Sequence, residues 1–350
     1  MTRDFWQGKR VVITGHTGFK GSWLTIWLTM LGAKVSGLSL APNTTPNHFD
    51  AAKVSTRISS DIGDIRDLDT VKRFFSEAEP EIVIHMAAQP LVRYSYNNPI
   101  ETYTTNVIGT VHILDVARHT GSVKSIVVVT SDKCYENKEW RWGYRENEPM
   151  GGYDPYSNSK GCAELVTSAY QSSYFASKVV GLGSGRAGNV IGGGDWAEDR
   201  LIPDIVQAFS KGEEVVIRSP GAIRPWQHVL EPLSGYLTLA EKLWHQPDEF
   251  SEGWNFGPLE SDVKPVSWIV EHMQGLWGDN SSWRLDGADQ PHEANYLKLD
   301  CSKAHTGLQW YPRLNLSTAL QWTVEWYKAF YNGADIRKIT ENQIEEYMHG

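Results

Sequence analysis

RVVITGHTGFKG, residues 10–21, is the stretch on which the fold turns. Arg10–Thr14 is a short, β-branched apolar run, and Gly15, Gly18 and Gly21 follow at a spacing of three. The next residues, FKGSWLTIWLTMLGA, set Trp23 four before Trp27 and Leu24 four before Leu28, with Gly32 as a stop, which predicts a buried helix. Glycines lacking Cβ let the turn tighten and let its backbone approach a pyrophosphate. Amides at the helix N-terminus then bind that group without a net positive protein. Gly15, His16, Thr17, Gly18, Phe19 and Gly21 are therefore candidate nucleotide-binding residues.

The alternation continues outward. Val35–Leu40 and Ile58–Asp61 read as strands, Asp67–Glu77 as a helix, Glu81–Met86 as a strand buried on both faces, Pro99 to His119 as a long helix and Ser125–Thr130 as another buried strand. Each parallel neighbour requires a crossover, so the expectation is an α/β fold. It takes the form of a Rossmann-type, doubly wound parallel sheet with a smaller mixed α/β C-terminal substrate-binding part. Residues 1–185 are expected to form the Rossmann half and 186–350 mainly the substrate half, with segments free to interleave. Ligands of such sheets lie outside the strands' carboxyl ends, which brings Thr14–Gly21, Ala87–Gln89 and Thr130–Lys133 to one cleft. A second glycine cluster, Gly181-Leu182-Gly183-Ser184-Gly185, is followed by Arg186-Ala187-Gly188 instead of a helix and reads as a flexible loop. The 174–188 segment as a whole reads as a short link.

The 350 residues carry 33 Lys plus Arg against 42 Asp plus Glu, a net −9 whose mean field repels nucleic acid and anionic membranes alike. Phosphates must be held by local devices. No apolar run approaches the ~18–20 residues of a membrane span. MTRDFWQGKR leads into the first strand without a signal-peptide core, so a cytoplasmic protein is expected. Cys134, Cys162 and Cys301 lack a CxxC or paired-His companion and read as reduced thiols, with no metal site. Of 15 Trp, ten lie at Trp196 or beyond, so the two halves have different jobs. No acid, Arg or Lys stands between Leu38 and Phe49 to select NAD or NADP, and that choice stays open. Asp64, after the third strand, either accepts from an adenine amine or is an ordinary turn residue.

Asp154-Pro155-Tyr156-Ser157-Asn158-Ser159-Lys160 has Asp at an N-cap and Pro at the first helical position. Tyr156 and Lys160, four apart, share a face. An ammonium there favours the phenolate and makes Tyr156 a candidate general base. Ser131, after a strand's carboxyl end, completes the set.

With these residues in view the chain resembles the extended short-chain dehydrogenase/reductases. TGHTGFKG (14–21), HMAAQ (85–89), Asn106 in NVIGT, TSDK (130–133), YSNSK (156–160) and RAGNVIGGGDW (186–196) run in the family's order from about residue 8 to 330. The resemblance implies NAD in the glycine cleft, held also by Asp64, Ile65, Ala87, Ala88, Gln89, Asn106 and Thr130. Ser131 or Thr130 would orient the sugar hydroxyl, Tyr156 would act as base, and Lys160 would hold the nicotinamide ribose.

Ser131-Asp132-Lys133 narrows the chemistry. An epimerase only rotates and re-reduces its ketone, whereas loss of water from a 4-ketohexose needs a base for the proton on carbon 5 and an acid for the hydroxyl on carbon 6. Asp132 and Lys133 supply two ionisable groups. Nucleotide-sugar 4,6-dehydratases usually show Asp-Glu here, and Lys133 replaces the Glu. Lys133 acts as base if its surroundings lower its pKa; otherwise it orients Asp132 or stabilises an enolate. TSDKCY, RPWQHV (224–229) and WNFG (254–257) resemble the branch that acts on CDP-glucose, making deoxysugars for O-antigen and lipopolysaccharide. On that resemblance Arg93, Arg186, Asn189, Arg224, Trp226, His228 and His292 bind the nucleotide sugar. Trp196 is a second stacking candidate, and Glu293 shares with His292 a loop closing over the nucleotide. His16 and His228 contact phosphate or serve structure. The family also implies a homodimer or homotetramer, paired through the Pro99–His119 and Tyr156 helices. The competing readings are an epimerase or reductase on the same scaffold, a dehydratase for dTDP-, UDP- or GDP-sugar, and a silent NAD-sensing protein, which would be expected to lack Tyr156 and Lys160.

Overall fold

The computed structural model describes residues 3–175, 179–278, 281–286 and 296–350. The strands Arg10–Thr14 (β1), Lys34–Ser39 (β2), Ser59–Ile62 (β3), Ile82–His85 (β4), Ser125–Val129 (β5), Gly181–Ala187 (β6) and Gly253–Phe256 (β7) form one sheet in the order β7-β6-β5-β4-β1-β2-β3. Every pairing in it is parallel. The order reverses between β1 and β4, and there the glycine turn opens at the sheet's carboxyl edge.

The period of two shows in β1: Val11 and Ile13 enter the core on one face and Val12 that on the other. One face is covered by the helices Phe19–Met30 (α1) and Leu230–His245 (α6), the other by Leu68–Ala78 (α2) and Gly109–Arg118 (α3). Pro155–Ser173 (α4) runs beside the latter pair. Leu201–Lys211 (α5), Leu316–Tyr331 (α7) and Ile336–His349 (α8) complete the helices used below. The tryptophans of α1 are fully buried, each contributing at least roughly 1.5–3 kcal/mol by the transfer of its apolar surface. Trp27 donates its indole N–H to Met348 Sδ at 3.3 Å and meets the Tyr347 ring edge-on at 5.5 Å, which joins α8 to α1.

The 181–185 glycines do not form a loop. They lie in β6, buried between β5 and β7, and the strand runs through the expected division at residue 185. The glycines are there because α6 crosses the sheet too closely for side chains. A Cβ on Gly181 would sit 2.6 Å from the Leu243 carbonyl oxygen, and one on Gly185 would sit 2.7 Å from the Tyr236 ring. Within the expected 174–188 link, Gly181–Ala187 is accordingly an inner strand of the sheet.

Pro99 to His119 is one helical run interrupted by a π turn at Thr104–Ile108. That turn aims Asn106 inward. Its Oδ1 accepts from the Gln89 N–H at 2.8 Å, and its Nδ2 donates to the Gln89 carbonyl at 3.0 Å and to Ser159 Oγ at 2.8 Å. Asn106 thus ties the loop after β4 to α4. Among the described residues no helix is long and apolar enough to cross a membrane, and no group of three metal-ligating side chains occurs.

Candidate active site

The turn after β1 is shaped by contacts that exclude side chains. Gly15 has φ +80°, and a Cβ on it would lie 2.8 Å from the Ala87 nitrogen; one on Gly21 would lie 2.0 Å from the Gly15 carbonyl oxygen. Gly18 caps α1 without any side-chain hydrogen bond. First-turn amides are left facing the cleft, which suits a dinucleotide's pyrophosphate. Thr17 Oγ1 is tied to Ser39 Oγ and the Leu40 carbonyl, each at 2.8 Å, which fixes the turn against the end of β2. Asp64 caps the Arg66 N–H at 2.8 Å and pairs with its guanidinium at 2.5 Å, and Ile65 is buried against Gly109. These residues fit a dinucleotide.

Beyond β5 the chain makes a one-turn helix, Asp132–Cys134, capped by Ser131. Ser131 Oγ accepts from the Lys133 N–H at 3.2 Å and donates to Asp132 Oδ1 at 2.9 Å, and Ser131 lines the same cavity as Tyr156. Asp132 is buried, and its Oδ2 has no partner. Burial raises the pKa of this carboxyl, against the opposing pull of Lys133, Ser131 and Arg224. Tyr156 stands in the first turn of α4, which Asp154 caps by accepting from the Ser157 N–H at 2.9 Å. Ser131, Asp132, Lys133 and Tyr156 share a cavity of about 550 Å³ with Phe19, Lys20, Arg93, Asn189, Arg224 and Trp226. A larger groove, about 1020 Å³, lies between α1, α6 and α8 and contains none of these groups.

A model of the family described as GDP-mannose 4,6 dehydratase matches residues 12–323. The chain belongs to this family. It is 58% identical to CDP-glucose 4,6-dehydratase of Salmonella typhimurium over 99% of this chain and 98% of that protein. It is 26% identical to dTDP-D-glucose 4,6-dehydratase of Homo sapiens over 95% and 94%. Two solved structures share the fold, each at 22% identity. UDP-glucose 4-epimerase of Thermus thermophilus with NAD has TM-score 0.79, covering 91% of this chain and 98% of that one. dTDP-glucose 4,6-dehydratase of Bacillus anthracis with NAD has TM-score 0.74, covering 93% and 99%.

Within this family member several expected contacts are made elsewhere. Thr130 donates its hydroxyl to Glu164, so of the Thr130 and Ser131 pair only Ser131 faces Tyr156. Arg186 does not enter the cavity; its guanidinium lies in the protein interior, bonded to Glu164 Oε2 at 2.7 Å, the Tyr135 hydroxyl at 2.8 Å and the Glu146 carbonyl at 2.9 Å. His228 is fully buried between the Trp23 and Trp322 rings, and burial lowers its pKa to about 3, so it is a neutral core ring. The His16 ring covers Gly37, meets Ser60 Oγ at 2.7 Å and is lowered by burial to about 4; its side chain lies across the paired β2 and β3 and carries no charge for a phosphate. Trp196 packs on Trp326, Tyr327 and Phe330. His292 and Glu293 lie outside the described residues.

Lys160 does not lower the Tyr156 phenol as expected. Its ammonium donates to the Val129 carbonyl at 3.3 Å, and burial lowers it to about 8. Tyr156 is not lowered: burial, opposed by Ser131, pushes its phenol up to about 12. Two groups went unnoticed in the sequence. Lys20 is the one charge within α1 and lines the cavity. Asp195 and Arg200, paired at 2.7 Å, line it too; the acid-rich run DWAEDR after three glycines was the available signal.

Proposed function

We propose that this chain converts CDP-glucose to CDP-4-dehydro-6-deoxyglucose with NAD as resident cofactor. The observation that carries the reading is the entry of Asp132 and Lys133 into the same cavity as Ser131 and Tyr156. An acid and a base beside the alcohol-oxidising pair are what a dehydratase needs and an epimerase does not. Similarity to the Salmonella protein over nearly the whole length of both chains supports CDP-glucose as the substrate.

The steps follow from the side chains. Tyr156, which lies with Ser131 in the cavity, takes the proton of the 4-hydroxyl. NAD, held by the turn at Gly15–Gly21 and by Lys160, would supply the hydride-accepting and hydride-donating ring, and its positive charge would favour the phenolate of Tyr156. The carbon-4 carbonyl acidifies the proton on carbon 5, which Lys133 takes. Asp132, whose burial favours the protonated form of its carboxyl, donates a proton to the carbon-6 hydroxyl, which leaves as water. Lys133 then returns its proton to carbon 5. Oxidation at carbon 4 and reduction at carbon 6 cancel. Lys160 positions the nicotinamide ribose from the floor beside Val129. Arg93, Asn189, Arg224 and Trp226 hold the diphosphate and base, Arg forks being suited to phosphate. A homodimer, alone or doubled into a tetramer, is supported by apolar side chains left in solvent on the two helices expected to pair, with Ile100 79% and Leu165 60% exposed.

Incubation of the purified protein with the CDP-, dTDP-, UDP- and GDP-glucoses, followed by mass spectrometry, tests the reading. Loss of one water from CDP-glucose is expected. No loss from it, with loss from another, overturns the substrate. Lys133→Ala is expected to oxidise carbon 4 yet retain the water; full dehydration by that variant removes Lys133 from the mechanism.

A further inference from the structure

Of the residues in the glycine turn, only Phe19 and Lys20 reach the cavity that holds Tyr156 and Asp132. Lys20 is in the first turn of α1, and every other residue of that helix is apolar, small or hydroxyl-bearing. Its ammonium makes no hydrogen bond or ion pair with a described residue; its aromatic neighbour is the Tyr236 ring, 5.9 Å away. The carboxylates in range are engaged elsewhere, Asp195 with Arg200 at 2.7 Å and Asp132 with the Ser131 hydroxyl at 2.9 Å. Lys20 is half-buried in the cavity wall, and the loss of solvent there, reinforced by Lys160 and Arg200, brings it down to about 7. A cation so placed costs stability unless something in the cleft answers it.

We propose that Lys20 sets the redox balance of the bound nicotinamide. A positive charge in the wall shared by the cofactor turn and the sugar pocket disfavours the cationic oxidised ring relative to the neutral reduced one. The inference rests on the NAD-dependent reading above. Stoichiometry is untouched: carbon 4 gives up a hydride to the ring, Tyr156 takes the hydroxyl proton, and the same hydride is returned to carbon 6. Lys20 alters only the fraction of each turnover during which the hydride stays off the sugar, and so the interval in which Lys133 and Asp132 expel water. It acts through charge alone and needs no contact with the reacting carbons.

The test is a competition. Full-length protein is equilibrated at about pH 6, where the ammonium is charged, with NAD and NADH in known ratio. After removal of free nucleotide the bound cofactor is extracted and its two forms are quantified. Lys20→Met, which keeps the length and removes the charge, is expected to shift the bound ratio about tenfold towards NAD, equivalent to about 30 mV for a two-electron couple. Lys20→Arg is expected to stay within about twofold of wild type by restoring the charge. An unchanged ratio in Lys20→Met overturns the proposal, including the case in which both forms weaken equally, as a phosphate ligand would require. The same shift in Lys20→Arg overturns it too, as a packing effect. Lys20→Gln replaces Met if thermal melting shows that the Met variant does not fold. Failure of wild-type protein to retain either form overturns the NAD reading itself, a distinct outcome.

Discussion

The acid role proposed for Asp132 comes at a cost to the fold. Its buried carboxyl has a raised pKa, so the folded protein keeps that proton to higher pH than the unfolded chain does. The stabilisation is full below the unfolded value, near 4, and is lost as pH rises from there through the folded value. Asp132→Asn cannot ionise and avoids the loss. Its melting temperature is expected above wild type around neutral pH, the gap closing as pH falls into the carboxylate range, while water loss slows by roughly 10²–10⁴-fold. Scanning calorimetry across pH and mass spectrometry of the product check both halves. At this scale legibility was uneven. Tyr156, Ser131 and Asp132 announced themselves by spacing and by position after a strand or in a first helical turn. Arg186 and His228 did not, because nothing adjacent to them reveals Glu164 on α4 or the Trp23 and Trp322 rings that enclose them.

Elements read well wherever one face or both were apolar. The strands before the glycine turn and before Ser131, and the helix after the turn, were legible because Val, Ile, Trp and Leu recur at periods the backbone imposes. β6 was not, because its pattern is written in absences: Gly181, Gly183 and Gly185 alternate along one face so that α6 can lie on bare backbone. Gly181→Ala forces a methyl group within 2.6 Å of the Leu243 carbonyl oxygen. It is expected to lower unfolding free energy by about 1–3 kcal/mol, seen as a lower urea midpoint. The π turn at Thr104–Ile108 was likewise invisible, since one extra residue in a helix leaves no mark on composition.

For the whole molecule, a net charge of −9 coexists with a cavity whose lining holds six cationic side chains against four carboxylates, so the field reverses locally where phosphates are proposed to bind. The late excess of tryptophan proved mainly architectural, Trp226 being the one that lines the cavity. The proposed two-fold assembly makes a prediction at this scale. Leu165→Glu puts a charge on the exposed face of α4 proposed to pair and is expected to reduce the particle to a monomer by light scattering, with the fold intact by circular dichroism. Retention of the oligomer moves the interface elsewhere.

The seam between Trp27 on α1 and Met348 on α8 bears on how the polypeptide is made. A ribosome delivers the glycine turn and its helix first, and the residues that cover that helix more than 300 positions later. For most of translation the apolar flank of α1 is therefore naked. The nascent chain needs either a chaperone on that flank or a slow closing step after release, and a ribosome stalled short of Ile336 leaves a sticky, half-roofed product for the proteases.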